Sequence, residues 1–182
     1  MSLADLASFA SLASSVTVLV SLLFLGVQIR QANRNQRSLM QQGRSARNVE
    51  LLNRLTDPKL SETMLHVAKG DTVADADYLM FYGYMASVFW SYEDCFFQFH
   101  SGTLDAKSWA SDVLTLKRLL ANPAYRAVWR AVRDGIGDEY RSFLDGLVAE
   151  AKHRSPVNAV NALKQYIAEE RQALKRAQNV KP

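Results

Sequence analysis

Residues 16–37 read VTVLVSLLFLGVQIRQANRNQR, and this stretch decides the architecture. It closes a run, Leu6 to Ile29, that holds no charged side chain, and it opens an arginine series of Arg30, Arg34, Arg37, Arg44 and Arg47. An uncharged helix of about 20 residues crosses the ~30 Å hydrocarbon core of a bilayer. The first half of the run is only moderately apolar, because Ser8, Ser11, Ser14, Ser15, Thr17 and Ser21 interrupt it. A secretory signal would carry its basic residues ahead of a shorter apolar core. Here the residues before Leu6 include Asp5 and neither Lys nor Arg. The run is therefore read as a transmembrane helix, in preference to a buried core helix or an interfacial one.

The arginines set the expected orientation. Basic residues close to a span stay in the cytoplasm, and acidic ones count for little. The N-terminus is expected outside and residues 30–182 in the cytoplasm. Cys95, the only cysteine, would then lie in a reducing compartment with no disulfide partner.

The span carries a face of small residues: Ala4, Ala7, Ser11, Ser14, Val18 and Ser21, at alternating spacings of three and four. In lipid, small residues let helix backbones approach, and serine hydroxyls can hydrogen-bond across the contact. Ala7, Ser11, Ser14 and Ser21 are the candidate association residues, with a homo-oligomer or a larger membrane complex as the expected assembly.

The remainder is long enough for one core and reads as helix almost throughout. The apolar helix is expected to continue unbroken to Thr56-Asp57-Pro58, since proline disfavours helix in the residue before it. Pro58 to Lys69 forms a short helix with Gly70 at its C-cap. Asp75 or Asp77 opens a long aromatic helix that ends near Gly102. Asp105 caps a helix to Ala121, and Asn122-Pro123 starts the next. Gly135-Ile136-Gly137 breaks that helix, and Asp138 is expected to cap another to about His153. Ser155-Pro156 opens the last, which frays near Gln178. The expected fold is all-α: an anchor over residues 1–29, a basic juxtamembrane helix over 30–56, a cytoplasmic helical bundle over 57–154 and a basic helix with its tail over 155–182.

The formal net charge is +4, and it is concentrated in two places. Residues 30–54 hold six arginines against Glu50, and residues 152–182 hold seven Lys or Arg against Glu169 and Glu170. Arg30, Arg34, Arg37, Arg44 and Arg47 are candidates for the membrane surface, where each basic residue contributes about 1 kcal/mol toward anionic headgroups. Membrane lipid is an expected partner. Nucleic acid is not, because neither basic segment carries aromatic platforms or a recognised motif.

The helix from Tyr78 to Ser101 is the densest part of the chain and is expected at the centre of the bundle. Tyr82, Ala86, Phe89, Glu93, Phe96 and His100 share one stripe, which places Glu93 and His100 as buried polar residues on an apolar face. A buried carboxylate is costly unless paired. The expected partner is an arginine of a neighbouring helix: Arg118, Arg126 or Arg130. The chemical alternative is a pocket near Glu93 and His100 in a membrane-tethered sensor or enzyme. A soluble helical module, with its first helix in its own core, is a third reading. No catalytic, cofactor-binding or metal-ligating set is assigned. His66, His100 and His153 are dispersed, and no Cys pair, phosphate loop, dinucleotide glycine pattern or nucleophile elbow occurs. Asp94 and Phe96 beside Cys95 are expected to raise its thiol pKa.

Taken in order, several short motifs resemble a widespread group of bacterial single-span membrane proteins of uncharacterised function. They are Leu25-Gly26-Val27-Gln28-Ile29-Arg30-Gln31, Asp57-Pro58, Phe89 with Glu93, Gly102-Thr103-Leu104-Asp105 with Trp109, then Pro123, Arg126 and Trp129, and finally Phe143. The resemblance implies one N-terminal span in the bacterial inner membrane and a small helical cytoplasmic domain. It brings no activity, and it implies a structural or interface role for Glu93 and Trp129. The expected function is that of a membrane-anchored interaction or accessory subunit rather than an enzyme.

Overall fold

Helix α1 (Leu3–Arg54) runs uninterrupted for 52 residues through both the apolar run and the arginine segment. At 1.5 Å per residue it is about 78 Å long. The computed structural model describes residues 3–156 and 159–179, and the side chains of residues 11, 12, 14–156 and 159–178. Six shorter helices follow: α2 (Pro58–Lys69), α3 (Asp75–His100), α4 (Ala106–Leu120), α5 (Pro123–Val132), α6 (Asp138–Ala151) and α7 (Ala159–Asn179), with a 3-10 turn at Arg133–Gly135 between α5 and α6. The described residues contain no strand.

Local signals account for most boundaries. The Asp57 carboxylate accepts the Leu60 N–H at 2.8 Å, and Pro58 sits in the first turn of α2. Gly70 closes α2 in the left-handed region, at φ 90°, where a side chain would be strained. Asp105 accepts the N–H groups of Lys107 and Ser108, each at 3.0 Å. Asn122 caps α5 through the Ala124 N–H and donates to the Ala68 carbonyl, fastening the end of α2 to the start of α5. Arg126 covers the exposed end of α4 by donating to the carbonyls of Leu120 and Ala121.

Three boundaries differ from expectation: both ends of α6, and Ser155-Pro156, which is not helical. Asp138 is the first residue of α6 and makes no cap; Gly137 holds the N-cap position, and α6 ends at Ala151 rather than near His153. A carboxylate from α3 meets the start of α6.

In the bundle, α3 packs against α2, α4 and α5, and α4 packs against α6. The core is aromatic. Phe89 meets Trp129 edge to face at 5.5 Å, and Phe96 contacts Trp109, Tyr140 and Phe143 at 5.3–5.9 Å. Such ring pairs add about 0.5–1.5 kcal/mol each beyond their buried area. Phe89, Leu116, Leu120, Tyr140 and Leu144 are fully enclosed. The apolar half of α1 stays outside this core. Leu19, Leu23 and Phe24 are exposed, and the segment is long and apolar enough to cross a membrane.

Candidate functional site

The bundle is attached to α1 through two acidic residues on different helices. Arg44 Nε donates to Asp112 Oδ2 at 3.1 Å, while its Nη2 pairs with Oδ1 of the same carboxylate. One helical turn on, Arg47 pairs with Asp94 of α3. Asp94 also accepts from Gln98 Nε2 at 2.8 Å. Further along, the Tyr84 hydroxyl donates to the Leu51 carbonyl at 3.2 Å, and Ser61 donates to the carbonyl of Leu55. Met40, Arg44, Arg47 and Leu51 are half-buried on one face of α1, and Leu55, just past its end, is half-buried too.

Asp112 is the buried member of this junction, at 5 % exposure, on the same α4 face as Trp109, Leu116 and Leu120. The bidentate fork fits a guanidinium to a carboxylate in a way an ammonium could not. The bond to Asp112 holds the Arg44 guanidinium even more firmly protonated than usual. Burial and then the nearby Asp112 push the Tyr92 phenol up to about 12, and the same two causes raise the Cys95 thiol.

These contacts revise the membrane-surface assignment. Arg30, Arg34 and Arg37 are exposed, as a headgroup contact requires. Arg44 and Arg47 are instead engaged with Asp112 and Asp94. The sequence carried a signal for Asp112 that went unread: like Glu93, it interrupts an otherwise apolar helical stripe.

Glu93 also departs from expectation. It is half-buried rather than buried, and its partner is no arginine. Its Oε1 accepts the backbone N–H of Gly137 at 2.9 Å. Glu93 thereby supplies, from α3, a carboxylate acceptor at a helix start whose own Asp138 and Glu139 make no cap, where orphan N–H groups and the helix dipole favour negative charge. A Cβ on Gly137 would lie 3.3 Å from that oxygen and 3.6 Å from Phe97, so glycine permits the approach. His100 is exposed, not buried. Its Nδ1 donates to the Phe96 carbonyl at 2.9 Å, and its ring lies 4.0 Å from that of Phe96.

Trp129 is buried in the core and donates from Nε1 to Asp145 at 2.8 Å, while Arg133 grips the same carboxylate. The Arg133 bond, opposed by some desolvation and helped by Trp129, holds the Asp145 carboxyl below the usual range. Among the small-residue candidates of the span, Ser11, Ser14 and Ser21 are exposed; the Ala7 side chain lies outside the described residues.

An apolar groove of about 700 Å³ opens between α2, α3 and α5. Val67, Phe81, Ala127 and Val128 line it, with Tyr78 and Tyr82 at one wall and Lys69, Asp71 and Asn122 at the rim. Glu93 and His100 do not line it. No group of three or more His, Cys, Asp or Glu converges in a metal-binding arrangement among the described residues. No protein-family model, curated protein or solved structure matches the chain.

Proposed function

We propose that this chain is a membrane-anchored, non-enzymatic interaction subunit of the bacterial inner membrane. Its α1 crosses the bilayer once and presents the bundle on the cytoplasmic side. The supporting observation is the character of α1 itself. Its apolar half packs on nothing in the described chain, while its basic half is clamped to the bundle by Arg44 and Arg47. One continuous helix thus joins the apolar segment to the domain.

Cysteine accessibility tests topology. In a Cys95→Ala background, Ser2→Cys is expected to react with an impermeant reagent on intact cells, and Asn179→Cys only after lysis. The reverse pattern overturns the orientation. Release of the chain by alkaline carbonate overturns the anchor.

The groove favours a second reading, a ligand-binding module. Its site then moves from Glu93 and His100 to the Tyr78–Tyr82 wall. Titration with an apolar fluorescent probe tests this, with Ala127→Trp as the filled-groove control.

A further inference from the structure

The cytoplasmic half of α1 has a second face, turned away from the bundle. Leu39, Ala46, Val49 and Asn53 are all exposed there, Leu39 at 67 % and Val49 at 55 %. Their spacings of seven, three and four are those of the a and d positions of a heptad, in which Gln42 holds the d position between Leu39 and Ala46. Carried toward the N-terminus without a phase break, the same register passes through Asn35 and Ala32. It then enters the apolar run at Leu25, Ser21 and Val18.

The charges respect this register. Arg30, Arg34, Arg37, Arg44, Arg47 and Arg54 all fall at b, c or f positions. From Leu6 to Asn53, Glu50 is the only charged residue at any a, d, e or g position. A face without charge suits the interior of a bilayer. It does not suit the ~35 Å of helix from Arg30 to Asn53, because the solvent face of a helix ordinarily carries the charged residues. The bundle does not cover this face, since Met40, Arg44, Arg47, Leu51 and Leu55 hold it on the other side.

We propose that a second copy of this chain covers it, so that α1 pairs with α1 in a parallel, in-register, two-stranded coil running from the span through the juxtamembrane segment. The inference rests on the anchor proposed above, which brings both helices out of the membrane in the same direction. The fit to a copy has three parts. The seam keeps one register across span and stalk. The arginines of both helices point outward, so like charges stay apart. The two bundles hang on opposite sides without competing for the seam. Gln28, Asn35, Gln42 and Asn53 interrupt the apolar positions, a pattern that specifies register while weakening the contact. The stalk seam alone is therefore weak, and confinement by the span supplies the effective concentration it needs. A strict seven-residue repeat also requires the pair to supercoil left-handed.

Disulfide trapping of the full chain in native membranes tests the proposal, again in the Cys95→Ala background. Ala32→Cys and Ala46→Cys lie two heptads apart, about 21 Å along the helix. Each is expected to cross-link to itself on mild oxidation, because equivalent a positions of a parallel pair approach to disulfide distance. Only a parallel pairing lets both do so. Gln41→Cys and Asn48→Cys, on the exposed flank of the bundle-facing side, are expected to stay monomeric. Adding Val49→Glu to Ala46→Cys is expected to cut the cross-linked fraction at least about tenfold by placing two carboxylates in the seam, where a ~1.4 kcal/mol penalty already gives that factor. No cross-link at either alanine overturns the proposal, as does equal cross-linking at all four sites. Carbonate extraction of the same samples separates the two ideas. A chain retained in the membrane without cross-links loses the coil and keeps the anchor; a released, cross-linked chain loses the anchor and keeps the coil.

Discussion

The Glu93 carboxylate reaches from the middle of α3 to accept the backbone N–H of Gly137, 2.9 Å away, at the threshold of α6. A helix start that lacks a capping side chain of its own is thus capped from a neighbouring helix. The bond ties α6 to α3 through the N-cap residue Gly137.

Glu93→Ala is therefore expected to destabilise the bundle by about 1–2 kcal/mol, the scale of a lost helix cap. Glu93→Gln keeps an acceptor but loses the charge that suits the helix dipole, and should fall between parent and alanine. Gly137→Ala places a methyl 3.3 Å from Oε1, a contact that a small shift of the half-buried carboxylate relieves, so its loss should be smaller than that of Glu93→Ala. Thermal denaturation of the three variants checks this. An unchanged melting temperature for Glu93→Ala would mean that the contact contributes nothing to the fold.

The Arg44–Asp112 junction predicts an asymmetry. Arg44→Met leaves a buried carboxylate uncompensated, a loss of about 3–5 kcal/mol in comparable sites. The double variant Arg44→Met with Asp112→Leu removes both charges and should recover most of that loss. Limited proteolysis near residue 56 reads whether α1 stays seated on the bundle. Equal stability of the single and double variants would show that Asp112 finds water when Arg44 is removed.

Tyr140 offers the opposite sign. Its ring is fully enclosed and its hydroxyl meets no hydrogen-bond partner among the described residues. Burial, then Glu93, drives its phenol pKa far up, so it stays neutral at any working pH. An unsatisfied buried hydroxyl costs about 1–3 kcal/mol, so Tyr140→Phe should raise the melting temperature or leave it unchanged. A clear drop would reveal a partner for the hydroxyl.

Acid should loosen the bundle by a predictable route. The bond from Arg133 depresses the Asp145 carboxyl, the bond from Lys59 depresses Asp77, and the bond from Lys117 depresses Glu150. A carboxylate whose folded pKa lies below its unfolded value stabilises the fold fully above the unfolded value. That contribution is lost as pH falls through the folded value. The melting temperature should be flat from neutral pH to about 5 and decline below about pH 4, where unfolded carboxylates titrate. Asp145→Asn should lower the neutral plateau and flatten the decline. An identical decline in the variant would assign acid sensitivity elsewhere.

The sequence by itself determined the helices and the apolar, uncharged character of the N-terminal segment. Asp57, Gly70, Asp105 and Asn122 mark boundaries because a cap is satisfied within two to four residues, by groups that the chain places together whatever the rest does. Tertiary structure alone decided what the charged side chains touch. Arg44 finds Asp112 across 68 residues, and Glu93 finds Gly137 across 44. Periodicity places a carboxylate on a stripe, but the rotation of the neighbouring helix decides whether it meets a guanidinium, a backbone amide or water. For the same reason Arg44 and Arg47 pair with the bundle, His100 lies at the surface, and the groove opens at Tyr78 and Tyr82 rather than beside Glu93. Local hydrogen bonds are written in adjacent letters, whereas long-range pairing depends on how rigid helices, once formed, come to rest against one another.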